Sequence, residues 1–293
     1  MSQSLADLLA ILDLQRTGEN SFRGTSAFAI RNRVFGGQIV SQALVAAART
    51  VEGAEPHSLH GYFLVAGDPS APIDYEVERL RDGRSFATRR CVAMQHGQEI
   101  FTLTCSFHTP EPGLDHALEM PEVPDPESLM SADRIALASS HLVPAALKRY
   151  FEQEQAIEVR PVDLGRYFPR SERKPLPIQQ NIWMRANGRL PDDPAVHRAV
   201  VAYLSDMTLI DTILVRHQFT VFDPEVLAAS LDHAVWFHRP FRADEWLLYS
   251  QVTPSAHGGR GLARGSLYSR DGQLVASMMQ EGLLRLRVDK PAP

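Results

Sequence analysis

Two long stretches of this chain share one pattern, and that limits the available folds more than any single residue does. Residues 58–107 lie beside residues 230–284, with Ser58-Leu59 near Ser230-Leu231, Gly83-Arg84 near Gly259-Arg260 and Gly97-Gln98 near Gly272-Gln273. The offset is about 172–176 residues throughout, too long for a solenoid unit and right for a duplicated domain. At 293 residues there is room for two domains of about 100–150 residues each.

Each half places a helix signal ahead of its strands. FGGQIVSQALVAAARTV sets Val40, Leu44, Ala47 and Val51 on one face with little charge until Arg49, which predicts a largely buried helix. AVHRAVVAYLSDMTLIDTILVRH is apolar nearly all round and predicts a second buried helix with Asp206 in its middle. After the helices, Asp82-Gly83, His96-Gly97, Gly258-Gly259 and Asp271-Gly272 separate runs rich in Val, Leu, Phe, Tyr and Thr, as hairpin turns do. The expectation is an α+β architecture in which an antiparallel meander curls around a central helix, twice over. Its divisions are a first domain over 1–115, a Pro-rich linker with short helices over 116–155, and a second domain over 156–293. The first residues, MSQSLADLLAILDLQRTGENSFRG, predict a short amphipathic helix, because acidic residues within the apolar run fit neither a secretion signal nor a membrane span.

Composition narrows the function classes. Charged residues make up 22% of the chain without a long single-sign block, and the net charge is -5, which argues against disorder and against a general nucleic-acid binder. A local Arg cluster can still bind phosphates on an acidic protein. Cys91 and Cys105 are the only cysteines and fall in strand-like runs, so they read as small buried hydrophobes in a reducing compartment. The chain ends in DKPAP without a peroxisomal tripeptide, and the expected location is the cytoplasm.

Polar residues where apolar ones belong mark the candidates. In LVASMMQEGLLRLR the even-numbered phase is Leu274, Ala276, Met278, Gln280, Gly282, Leu284, Leu286, so Gln280 is the only polar side chain on that face. A buried amide without partners costs about 1–3 kcal/mol, so Gln280 meets either a hydrogen-bond network or a ligand cavity. Asp206 has Ala202 and Tyr203 one turn before it and Leu209 and Ile210 one turn after, a face on which a carboxylate is paired or functional. Asp211, among Met207 and Leu214, is nearly as good by periodicity, and Ser230 at a strand start is by itself an ordinary serine. No G-x-S-x-G elbow, phosphate loop or dinucleotide fingerprint occurs, and His57, His60, His233 and His238 sit in strand-like runs without the acidic partners of a zinc protease, so they read as structural. Gly36-Gly37, opening the first helix, either lets a ligand approach backbone amides or serves helix packing.

The motifs FRG, VFGGQ, LRDGRSFATRR, WMRANGRLPDD, LDHAVWFHRPF, EWLLYS and VASMMQEGLLR cover nearly the whole length, and together they resemble the type II acyl-CoA thioesterases. These are TesB-like double-hotdog enzymes of bacteria, with peroxisomal relatives. The resemblance implies a double hotdog fold, an acyl-CoA substrate, no cofactor, no metal and a site in the second half. Carried over motif by motif, its catalytic aspartate is Asp206 in YLSDMT, its hydroxyl residue Ser230, two positions before Asp232-His233, and its glutamine Gln280. It implies hydrolysis of fatty acyl-CoA by direct attack of a water, with Asp206 as base and Ser230 and Gln280 orienting the water. The Gly36-Gly37-Gln38 turn is the expected source of oxyanion donors, with Gly37 and Gln38 near substrate, and Arg84 and Arg260 are candidate phosphate contacts. The first half has Gln38 and His60 where the second has Asp206 and Asp232, so one site per chain is expected, in a homodimer or homotetramer. The rival readings are a non-catalytic acyl-CoA or acyl-carrier binding module and a hydroxyacyl-thioester dehydratase.

Overall fold

The turn glycines do what their spacing asks. In the computed structural model, which describes residues 2–26, 29–30, 33–138, 155–165, 171 and 177–287, His96-Gly97 and Gly258-Gly259 both adopt positive φ at their two central positions (51° and 75°, 61° and 75°). That backbone matches the right-handed twist of paired strands, so each closes a tight hairpin. His96-Gly97 joins β7 (Phe86–Gln95) to β8 (Gln98–His108), and Gly258-Gly259 joins β13 (Leu247–His257) to β14 (Arg260–Ser269).

The remaining elements of the first half are α1 (Gln3–Leu12), β1 (Gln15–Arg16), β2 (Ser21–Gly24), the small hairpin β3 (Ala29–Ile30) with β4 (Arg33–Val34), α2 (Gly36–Ala48), β5 (Glu55–Phe63) and β6 (Ile73–Asp82). The connection carries α3 (Ala132–Ala138), and the second half has β9 (Ile157–Pro161), β10 (Gln179–Ala186), α4 (Pro194–Ser205), α5 (Leu209–Val215), β11 (Val226–Ser230), β12 (Asp232–Phe237) and β15 (Leu274–Leu286). One antiparallel sheet runs through both halves in the order β1-β2-β6-β7-β8-β5-β12-β15-β14-β13-β10-β9, with β11 paired to the far end of β15. The halves join at β5 and β12, where His60 faces Ala234 and Gly61 faces His233.

The sheet wraps its helices. Strands β5 to β8 enclose α2, strands β13 to β15 enclose α5, and α4 lies along α2. The shared interior holds Ile39, Val40 and Leu44 from α2 and Val200, Val201 and Leu204 from α4. Ser2 caps α1 by accepting from the Leu5 N–H at 3.2 Å, and Leu5, Leu8, Ile11 and Leu12 bury its apolar face, the amphipathic helix the sequence predicts.

The single helix expected in the second half is two. Asp206 caps the C-terminal end of α4, and Asp206, Met207 and Thr208 separate it from α5. Two buried contacts accompany the interruption: the Tyr249 hydroxyl donates to the Ser205 carbonyl at 2.9 Å, and the Gln251 amide donates to the Thr208 hydroxyl at 2.5 Å. Asp and β-branched Thr are weak helix formers, so the break costs little locally. Ser230 also differs from expectation. It ends β11 rather than starting a strand, at the jog where the chain passes along β15 from β11 to β12.

Beyond β8 the chain crosses the outer face of the second half. Met120, Val123 and Leu129 pack against Trp183, Trp246, Leu248 and Tyr268, and the Trp183 indole donates to the Pro124 carbonyl at 3.0 Å. Of the short helices expected there, a 3₁₀ turn (Pro126–Ser128) and α3 are present, and residues 139–154 lie outside the described residues.

Candidate active site

Three elements of the second half converge on one carboxylate. The break after α4 presents Asp206, the end of β11 presents Ser230, and the inward phase of β15 presents Gln280, which is fully buried. The Gln280 amide donates to Asp206 Oδ1 at 2.5 Å and to Ser230 Oγ at 3.0 Å, and Ser230 Oγ approaches Asp206 Oδ1 at 3.4 Å. A single amide thus ties the hydroxyl and the carboxylate into a triangle.

The first half closes the site. The Gly36-Gly37 start of α2 lies against Asp206, and the backbone N–H of Gly37 is directed at its carboxylate. A Cβ on Gly36 would lie 2.6 Å from Asp206 Oδ2 and 3.0 Å from the Phe63 ring, and one on Gly37 would lie 2.3 Å from the Tyr203 carbonyl. Packing of α2 against the α4 backbone therefore requires glycine at 37, and the approach of the Asp206 carboxylate and the Phe63 ring requires it at 36, which brings the electropositive end of α2 to the carboxylate.

Opposing effects set the charge of Asp206. Burial pushes its pKa up from 3.8 to about 6, against the hydrogen bonds from Gln280, Gly37 and Ser230, which favour the ionised form. A carboxylate with a pKa near 6 is ionised at neutral pH yet basic enough to take a proton from water.

The other sequence candidates separate. Asp211 is buried and accepts the Val221 N–H at 2.9 Å, organising the turn after α5. Gln38 is buried in the first half, its amide donating to Ser26 Oγ at 3.0 Å and to the Thr25 carbonyl at 3.3 Å. His60 lies at the seam between the halves, with Nε2 3.2 Å from Asp232. Arg84 borders a polar cleft of about 470 Å³ shared with Arg16, Arg49 and Arg79. Arg49 and Thr50 place that cleft at the other end of α2 from Gly36, roughly 20 Å of helix away. Arg260 is paired with Glu281 at 3.0 Å.

The triangle has a further buried polar neighbour. His233, expected from sequence to be structural, is fully buried across from Gln280 on the neighbouring strand, with Nε2 2.7 Å from Ser205 Oγ. Its signal was its phase: His233, Val235 and Phe237 share the buried face of β12.

A continuous antiparallel sheet wrapped around two helical layers, with a polar triangle at their junction, is a double hotdog. A hot dog fold protein from Alicyclobacillus acidocaldarius shares that fold at 21% identity (TM-score 0.77, covering 96% of this chain and 99% of the other). The family described as acyl-CoA thioesterase matches residues 146–283, and the acyl-CoA thioesterase N-terminal domain matches residues 25–108. Human acyl-coenzyme A thioesterase 8 is 42% identical, covering 94% of this chain and 88% of its own length. Acyl-CoA thioesterase 2 of Haemophilus influenzae is 39% identical over 97% and 99%. The acyl-CoA thioesterase II TesB2 of Mycobacterium marinum superposes with a TM-score of 0.78 at 43% identity, covering 95% and 98%. The chain belongs to the acyl-CoA thioesterase family, and it is a hydrolase that cleaves acyl-CoA to fatty acid and CoA.

Proposed function

We propose that Asp206, Ser230 and Gln280 carry out this hydrolysis by activating a water directly. The observation that carries the reading is the Gln280 amide, buried and bonded at once to the Asp206 carboxylate and the Ser230 hydroxyl. Asp206 takes a proton from the water while Ser230 and Gln280 orient it. The water oxygen bonds to the thioester carbon, and the carbonyl oxygen becomes an oxyanion at the electropositive start of α2, the Gly36-Gly37-Gln38 turn. Collapse breaks the C–S bond, and the proton on Asp206 passes to the departing thiolate, giving a carboxylic acid and free thiol. General-base catalysis of this kind contributes about 10²–10⁴-fold, so the oxyanion donors supply an essential further part.

The remaining assignments are proposals on the same basis. Residues 1–115 form the first unit, 116–155 the connection and 156–293 the unit bearing the reactive groups. The first half supplies the helix start and the wall of the site, and Gln38 supports that start from behind. Arg84, in the cleft at the far end of α2, and Arg260, paired with Glu281 next to Gln280, are the proposed phosphate contacts. No helix among the described residues is long and apolar enough to cross a membrane; a cytoplasmic homodimer or homotetramer is the proposed working form.

The test is thiol release from short- to long-chain acyl-CoA esters by wild type, Asp206→Asn and Gln280→Ala, each checked for folding. Losses in kcat of at least about 10²-fold in both variants support the assignment. Full activity in either removes that residue from the mechanism.

A further inference from the structure

One buried side chain touches the triangle without a part in the chemistry. His233 on β12 lies one step along the register from the Ala234–Met279 pair, which sets it across from Gln280 on β15. Both side chains face the helices and are fully buried. Desolvation brings the ring's pKa down to about 4, against Asp232 and Gln280, which favour a ring proton. The ring is therefore neutral at physiological pH, with a proton on one nitrogen and a lone pair on the other.

The orientation of the Gln280 amide decides which nitrogen holds the proton. Its NH₂ group faces two oxygens, Asp206 Oδ1 and Ser230 Oγ. Turned over, it would set its own oxygen against a carboxylate. In the observed orientation Gln280 Oε1 is buried and, among the described residues, lacks a bonded partner, and so does His233 Nδ1. Unpaired buried polar atoms are costly, and here two of them belong to facing side chains on neighbouring strands. Ser205 Oγ has one proton and two acceptors in reach, the Ala202 carbonyl at 2.9 Å and His233 Nε2 at 2.7 Å. When the hydroxyl donates to Nε2, the ring's proton is on Nδ1, and Nδ1 can donate to the amide oxygen.

We propose that His233 is a positioning residue of the hydrolytic site: as the neutral Nδ1–H tautomer it donates to Gln280 Oε1 and holds the amide with its NH₂ toward Asp206, Ser230 and the attacking water. The inference rests on the role given to Gln280 above. The chain of donors runs from Ser205 through His233 and Gln280 to Asp206, and no proton is transferred along it. Its effect is on orientation, so it is expressed in kcat with little change in KM.

Two measurements test it. Long-range ¹H–¹⁵N spectra of histidine-labelled wild type at pH 7.5 should show the Nδ1–H pattern for His233; an Nε2–H pattern overturns the proposal. The second is a double-mutant cycle of His233→Leu and His233→Asn, each in wild-type and Gln280→Ala backgrounds. His233→Leu should lower kcat about 10-fold with KM within about 2-fold, and His233→Asn, which keeps an N–H near the Nδ1 position, should recover most of the loss. Both effects should vanish once Gln280 is alanine. A loss of equal size in the Gln280→Ala background makes the ring merely structural and overturns the proposal. Wild-type kcat in His233→Leu, with Gln280→Ala impaired, sinks this inference alone, whereas full activity in Gln280→Ala sinks the reading of the site with it. If His233→Leu does not fold, the tautomer and His233→Asn decide.

Discussion

The two halves use their helices differently. In the first, α2 runs unbroken from Gly36 to Ala48 and begins with two glycines. In the second, the helical stretch is interrupted at Asp206, Met207 and Thr208, with buried hydrogen bonds on either side. On the reading proposed above, the difference is how a duplicated fold comes to hold one reactive centre. The second copy gives up helix to present a carboxylate, and the first offers a helix start narrow enough to meet it. Neither half contains the site alone, because the Gly37 N–H and the Gln280 amide reach Asp206 from opposite sides of the junction.

The comparison breaks most sharply at the carboxylate. Asp206→Asn should lower kcat by about 10³-fold in a thiol-release assay. It should also stabilise the fold. A carboxylate whose pKa rises from 3.8 to about 6 on folding is favourable to stability in its protonated form, an advantage complete below about pH 4 and lost as pH rises through about 6. Removing it should therefore raise stability by ~1–3 kcal/mol at pH 8, with no gain at pH 4, as read by urea unfolding at the two pH values. On the other side of the junction, Gly37→Ala forces a methyl to 2.3 Å from the Tyr203 backbone carbonyl, which no side-chain rotation relieves. Thermal unfolding should show a loss of about 2 kcal/mol or more, with activity falling as the helix start withdraws from Asp206. Gly36→Ala presses on Asp206 Oδ2 itself and should reduce kcat about 10-fold with a smaller change in stability. The gentlest contrast is between serines at matching places in the repeat. Ser230→Ala should lower kcat about 10-fold, and Ser58→Ala by less than about 2-fold; equal losses would mean that both halves take part in the chemistry.

Much of this arrangement is legible in sequence where periodicity is short. Gln280 is out of place in its strand phase, and the structure buries it completely, because alternation along a strand is a local property. The hairpin glycines are equally local. Asp206 is harder: on a continuous helix Asp211 is nearly as good, and the two part where the helix is interrupted, a break flanked by Tyr249 and Gln251 far along the chain. The seam between β5 and β12 joins residues about 172 apart, so no local pattern gives its register. His233 had a readable signal, a histidine in the buried phase of a strand. Its use depends on an amide more than forty residues away, which that pattern does not contain.

The most direct test of the account is the pH dependence of kcat for acyl-CoA hydrolysis, measured in wild type and in the residual activity of Gln280→Ala. The wild-type rate should rise with pH and be half-maximal near pH 6, where Asp206 ionises. The Gln280 hydrogen bond favours the ionised carboxylate, so its removal should move that limb to higher pH. A wild-type rate without an ascending limb between about pH 5 and 7, or a limb that stays in place in Gln280→Ala, would contradict the claim that Asp206 is the base and Gln280 its partner.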